Sequence, residues 1–179
     1  MKRFLPCAVV VLSIISCGNP APAPESKDTV VAAPAGMAAP SMTEKNKATA
    51  LLVVQSFSNH DTAAMFKVTA ADFIDYGDGN MPPMKGLDSA KAGLRQFLAA
   101  FPDIKGENLM VIAEGNQAAV FGDWSGTFKG ELMGIKPTGK TFKFKDVDLF
   151  TFNDEGMVTS HRSIQSTDLL FKQVGAKMK

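Results

Sequence analysis

Thr141-Phe142-Lys143-Phe144-Lys145-Asp146-Val147-Asp148-Leu149-Phe150-Thr151-Phe152 alternates along its whole length. Successive side chains of a β-strand point to opposite faces, so a run of this kind is a long strand with two distinct sides. The even positions carry Phe142, Phe144, Asp146, Asp148, Phe150 and Phe152, and the odd ones Lys143, Lys145, Val147, Leu149 and Thr151. Four phenylalanines mark the even face as the one that helices cover. Two carboxylates therefore stand in the middle of an apolar face. A carboxylate there is costly unless it is partnered, hydrated or protonated.

Downstream, Asn153-Asp154-Glu155-Gly156 turns the chain into a second strand, Met157 to Asp168. Its alternation groups His161, Ser163 and Gln165 on one side and Arg162, Ile164 and Ser166 on the other, and Ile164 leaves open which side faces in. An inward His161 would meet Asp146 or Asp148. Upstream, strand-like Leu109 to Ala113 and Gln117 to Phe128 flank a hairpin turn, Glu114-Gly115-Asn116. Val120, Trp124 and Phe128 share a face with Gly122 and Gly126, glycines whose spacing lets a sheet bend sharply.

Three helical segments precede these strands. Ser41-Met42-Thr43-Glu44 has capping-box spacing before Ala50, Leu51, Val54 and Phe57. Asp61 caps a short helix, Thr62 to Val68, and Asp88 caps a third with Ala90, Leu94, Phe97, Leu98 and Phe101 on one stripe, stopped by Pro102. Ala71 to Tyr76 reads as a short strand and Gly77 to Gly86 as a loop. The expected fold is α+β: three N-terminal helices packed on one face of a curved antiparallel sheet. The sheet is pictured as a half-open cone lined by Trp124 and phenylalanines with a small polar group at its floor, as a small-molecule pocket is built.

The chain has 179 residues with 19 Lys+Arg, 18 Asp+Glu, 2 His and 2 Cys, which suits one domain with extra segments. A near-neutral charge argues against nucleic acid as a partner, because that needs a concentrated basic footprint. Met1-Lys2-Arg3 followed by apolar Phe4 to Ile15 reads as a secretory signal over residues 1–16, too short to span a membrane. Ile14-Ile15-Ser16-Cys17 resembles a bacterial lipobox. That resemblance makes Cys17 the acylated mature N-terminus and gives an exported protein anchored by lipid to a bacterial membrane; the other reading is an ordinary signal cut elsewhere. Residues 17–43, rich in proline and alanine, read as an extended tether, and 44–179 as the domain. Loss of residues 1–16 takes away Lys2, Arg3 and Cys7 and no acid, which turns a formal +1 into −1. The exported domain then has no thiol, hence neither a catalytic cysteine nor a disulfide.

The domain resembles the SnoaL-like polyketide cyclase branch of the nuclear transport factor 2-like superfamily over roughly residues 46–175. The carriers are Phe101-Pro102-Asp103, Ala113-Glu114-Gly115-Asn116, Gly126-Thr127-Phe128-Lys129-Gly130, Gly134-Ile135-Lys136-Pro137-Thr138-Gly139-Lys140 and Leu169-Leu170-Phe171-Lys172-Gln173-Val174-Gly175, in that order. The resemblance implies a cone-shaped α+β barrel, often a homodimer through the outer sheet face. It implies an intramolecular aldol ring closure on a polyketide methyl ester, with a carboxylate as acid/base. Setting the family's last-strand His-Arg pair on His161-Arg162 puts its catalytic aspartate position at Ser163, its pocket histidine at Asp148, a pocket glutamine at Asp146 and an early-strand asparagine at Asp75.

The candidate catalytic pair is Asp148 with His161, since a carboxylate raises an imidazole's proton affinity; the alternative is a structural buried pair. Asp75, Trp124, Phe144, Asp146, Ser163 and Gln165 are the candidate substrate-binding residues, around an apolar small molecule. No cofactor is implied. No metal site is expected either, because His60 and His161 have no two-histidine ligand spacing and the methionines are scattered singly. Two classes of function remain. One is a small enzyme moving protons on an apolar carbonyl or ester substrate. The other is a non-catalytic module that binds an apolar metabolite in the same pocket.

Overall fold

The computed structural model describes residues 39–165 and 167–177. The signal, Cys17 and most of the tether lie outside them. Helix α1 runs Met42–Ser58, and its Ser41 cap accepts the Glu44 backbone N–H at 3.2 Å. Helix α2 is Thr62–Lys67, with Asp61 accepting from the Ala64 N–H at 3.0 Å. Strand β1 is Thr69–Asp75 and a two-residue β2 is Met84–Lys85, which sequence periodicity is too short to reveal. Helix α3, Leu87–Ala100, starts from Gly86 rather than from Asp88. Gly86 has a φ of 85°, a conformation glycine adopts freely, and Asp88 lies in the first turn, where its charge meets the positive end of the helix dipole.

The remaining strands are β3, Lys105–Glu114; β4, Gln117–Thr127; β5, Thr141–Phe152; and β6, Val158–Ser163. A last helix, α4, is Thr167–Gln173. The strand expected to reach Asp168 thus ends at Ser163. Beyond it the Gln165 backbone N–H turns onto the Asp146 carboxylate, and the Ile164 N–H is shared between that carboxylate at 3.2 Å and the Val147 carbonyl of β5 at 3.0 Å.

The six strands form one curved sheet ordered β2-β1-β6-β5-β4-β3. The expectation of a wholly antiparallel sheet needs correction at one seam: β1 and β6 run parallel, with Asp75 beside His161. These strands belong to opposite ends of the domain, so their pairing is a crossover rather than a hairpin, and a crossover permits the parallel sense. The β4–β5 ladder is continuous from Gln117↔Thr151 to Thr127↔Thr141. Its inner side carries Val120, Trp124, Phe142, Phe150 and Phe152, all buried in a core closed by Val53 and Val54 of α1 and Leu170 and Phe171 of α4. The glycines leave room for rings. The Trp124 indole lies between Gly106 and Gly122, where a Cβ would meet it at 3.0 and 3.3 Å, and a Cβ at Gly126 would meet the Phe142 ring at 2.9 Å.

Candidate functional site

Three strands bring three ionisable side chains together. His161 on β6 stands between β1 and β5. Its Nδ1 lies 3.0 Å from Asp75 Oδ1 and its Nε2 2.9 Å from Asp148 Oδ1. Asp75 is the register partner of His161 across the parallel seam, while Asp148 reaches it diagonally, one pleat from Phe150. The imidazole also leans on the Phe150 ring, with centroids 5.2 Å apart. Because both ring nitrogens face carboxylates, both carry protons and the ring is an imidazolium. Burial opposes that charge, but the hydrogen bonds from Asp148 and Asp75, with their negative charges, outweigh it and raise His161 to about 10. Burial likewise works to raise Asp75, yet His161 and the Gly77 N–H hold it below the ordinary carboxylate range. The second oxygen of Asp148, Oδ2, is buried and has no hydrogen-bond partner among the described residues.

This triad lies on the wall of a cavity of about 460 Å³, within the range of small-molecule sites. Trp124, Phe57, Phe73, Phe97 and Phe150 form much of the wall, and Met81, Met84 and Met133 stand exposed at its edge. A larger and shallower groove on the other side of the sheet, bordered by Ile112, Leu149 and Arg162, touches neither His161 nor Asp148.

Of the residues expected around a substrate, Asp75, Trp124, Asp148 and His161 line the cavity. Phe144, Asp146, Ser163 and Gln165 are not among the residues that line it. Phe144 stacks on Phe142 at 5.1 Å and packs against the core. Asp146, Ser163 and Gln165 tie one another together where β6 ends. Asp146 accepts the Ser163 hydroxyl at 2.6 Å and the backbone N–H groups of Gln165 and Ile164 at 2.7 and 3.2 Å. Alternation places Asp146 on the inner face, but the chain leaving β6 folds over it and uses up its lone pairs. Burial, opposed by the Ser163 hydroxyl and reinforced by the charge of Asp148, raises the Asp146 carboxyl.

The inward direction of His161, which Ile164 left open, follows from Arg162 and Ile164 standing exposed on the opposite side. Asp78 was not a candidate, yet it also lines the cavity, held by the Thr167 and Asn80 N–H groups at 2.7 and 3.0 Å. Its only sequence signal was its place in a glycine-rich turn. Among the described residues no group of three or more His, Cys, Asp or Glu is arranged to hold a metal ion.

Residues 47–174 match the family model of the SnoaL-like polyketide cyclases. The chain belongs to this family. Solved structures agree on the SnoaL-like fold. A candidate SnoaL-like polyketide cyclase from Jannaschia sp. CCS1 superposes with a TM-score of 0.67 at 20% identity, covering 80% of this chain and 100% of the other. A candidate polyketide cyclase from Xanthomonas campestris pv. campestris gives 0.68 at 17% identity, over 75% and 99%. AclR, a candidate hydroxylase from Streptomyces galilaeus, gives 0.61 at 25% identity, over 74% and 97%. No curated protein matches the chain in sequence.

Proposed function

We propose that this SnoaL-like domain binds an apolar small molecule and performs proton transfer on its carbonyl or ester group. The observation that carries the proposal is the Asp75–His161–Asp148 array on the wall of the apolar cavity. In this reading the Asp148 carboxylate takes the proton from the carbon next to the carbonyl. The His161 imidazolium, held from behind by Asp75, fixes the carboxylate through Oδ1 and offsets the negative charge that develops on the substrate. Asp146 and Ser163, occupied with each other, take no part.

A second reading, a binding module without turnover, is favoured by two features of the site. Asp148 and Asp75 push His161 up to about 10, far from the neutral range where a proton shuttle works best, and Ser163 occupies the position the family resemblance gives to the catalytic aspartate. Native mass spectrometry with ligand extraction on the full-length chain tests both. A uniform retained ligand identifies the substrate class. Conversion of that ligand by wild type and not by Asp148→Asn supports catalysis. Retention without product supports the module, and an empty cavity refutes both.

The same proposal places the protein outside the cytoplasm, anchored through an acylated Cys17. The support is the basic start, the apolar run Phe4 to Ile15 and the cysteine at its end. Labelling cells with an alkyne fatty acid should tag wild type and leave Cys17→Ser untagged; equal tagging sinks the anchor. A second copy of the chain is proposed to cover the outer sheet face. There Met110 and Ile112 are each 56% exposed, Ile164 is 59% exposed, and Phe121 and Val147 lie in register between them. Sedimentation should give a dimer that Ile112→Glu breaks, and a monomeric wild type removes this part of the reading.

A further inference from the structure

The cavity wall has an unbalanced charge. Among the described residues, Asp75, Asp78 and Asp148 stand on it against a single imidazolium, His161, and no lysine or arginine lines it. Asp75 and Asp78 are both held below the ordinary carboxylate range, Asp78 because hydrogen bonds from Asn80 and Thr167 outweigh its partial burial, so both are ionised at neutral pH. The wall is negative whichever form His161 takes; a neutral imidazole would only make it more so. Two basic side chains do lie close to the aromatic shell. The Arg162 guanidinium is 5.0 Å from the Tyr76 ring and the Lys91 ammonium 5.6 Å from the Phe66 ring, but neither belongs to the wall.

Much of the rest of the surface is aromatic, with valine, leucine and methionine side chains between the rings. Phe57, Phe73, Tyr76, Phe97, Trp124 and Phe150 present rings to the space. The face of an aromatic ring carries negative potential and attracts a cation, most strongly where water is excluded. A neutral apolar ligand would satisfy the rings and leave the carboxylates of the wall short of counter-charge. An anion would meet an excess of carboxylates. A molecule that is apolar and positively charged satisfies both features. It also brings the counter-charge for an enolate formed in an already negative cavity.

We propose that the ligand of this cavity is an apolar molecule carrying a protonated or quaternary amine, its cation seated against Asp148 and the aromatic wall. This rests on the cavity being the small-molecule site.

The test compares benzyltrimethylammonium with its uncharged carbon isostere, neopentylbenzene, on the full-length chain. Trp124 is the sole tryptophan and lines the cavity, so its fluorescence reports occupancy directly, with calorimetry as the second measurement. The ammonium should bind about tenfold more tightly than the isostere. Asp148→Asn should erase most of that preference while keeping affinity for the isostere, which also shows that the variant is folded. Should Asp148→Asn fail to fold, Asp78→Asn at the same wall should weaken the ammonium and spare the isostere. Equal binding of the two probes, or tighter binding of the isostere, overturns the charged-ligand proposal and leaves the pocket reading in place. An ammonium preference unchanged in the folded variant overturns it as well. Binding of neither probe overturns both.

Discussion

The imidazolium clamped between Asp75 and Asp148 makes stability depend on pH in a direction opposite to that of a buried neutral histidine. His161 has an ordinary value of 6.5 and is raised to about 10 in the folded protein. A group whose proton is held more tightly by the native state stabilises it fully below the unfolded value and ceases to do so as pH rises through the folded one. Between pH 7 and pH 9 the native state keeps a proton that the unfolded chain has mostly released. Stability should therefore fall by about 1.4 kcal/mol per pH unit, or roughly 2 to 3 kcal/mol across the window.

The decisive perturbation is Asp75→Asn, which removes one of two carboxylates at similar distance from the ring, 3.0 against 2.9 Å. His161 should then titrate roughly midway between its ordinary and raised values, and the decline between pH 7 and pH 9 should about halve. Urea denaturation at the two pH values measures the decline. NMR titration of the imidazole resonances measures the proton affinity, with His60 as the only other histidine in the chain. A wild-type His161 that titrates near 6.5, or a slope that Asp75→Asn leaves untouched, would refute the reasoning.

Other substitutions separate structural from functional polar groups. Asp146→Ala should cost roughly 1 to 3 kcal/mol in urea melts, because it strands the Gln165 N–H group and removes the short bond to the Ser163 hydroxyl, yet leave probe affinity in the cavity unchanged. A loss of affinity without loss of stability would return Asp146 to the site. Asn46 is fully buried and donates to the Gly115 carbonyl at 3.0 Å, tying α1 to the β3–β4 turn. Asn46→Ala should lower stability by roughly 1 to 3 kcal/mol, and a neutral result in denaturant would show the tie to be dispensable. A Cβ at Gly130 would overlap the Ala99 carbonyl at the end of α3, backbone that cannot swing aside. Gly130→Ala should therefore cost roughly 3 kcal/mol or more and shift the thermal midpoint accordingly, whereas unchanged melting would mean the segment relaxes freely.

Much of the fold could be read locally because its signals are local. The Ser41 and Asp61 caps, the two-residue turn at Gly115-Asn116 and the limits of β5 each depend on neighbours within a few positions. Features that depend on distant partners escaped. Asp88 resembled a cap until Gly86 took that place. The strand expected to run to Asp168 was cut short by Asp146, a residue from the preceding strand. Alternation identified Asp146 and Asp148 as equals on one face, and they prove unlike. The first is spent holding the chain that leaves β6, whereas the second pairs with His161 on the cavity wall.

By itself the sequence determined the α+β class, the inward face of β5 and the presence of carboxylates upon it, since periodicity and polarity are properties of a strand alone. Only the tertiary structure decided that β1 would lie parallel to β6. That pairing sets Asp75, 86 residues away in the chain, against His161 and turns one histidine into an imidazolium between two acids. Burying a charge stabilises a protein only when its partners are within hydrogen-bond reach. That distance is set by the crossover that closes the sheet, which no stretch of sequence contains.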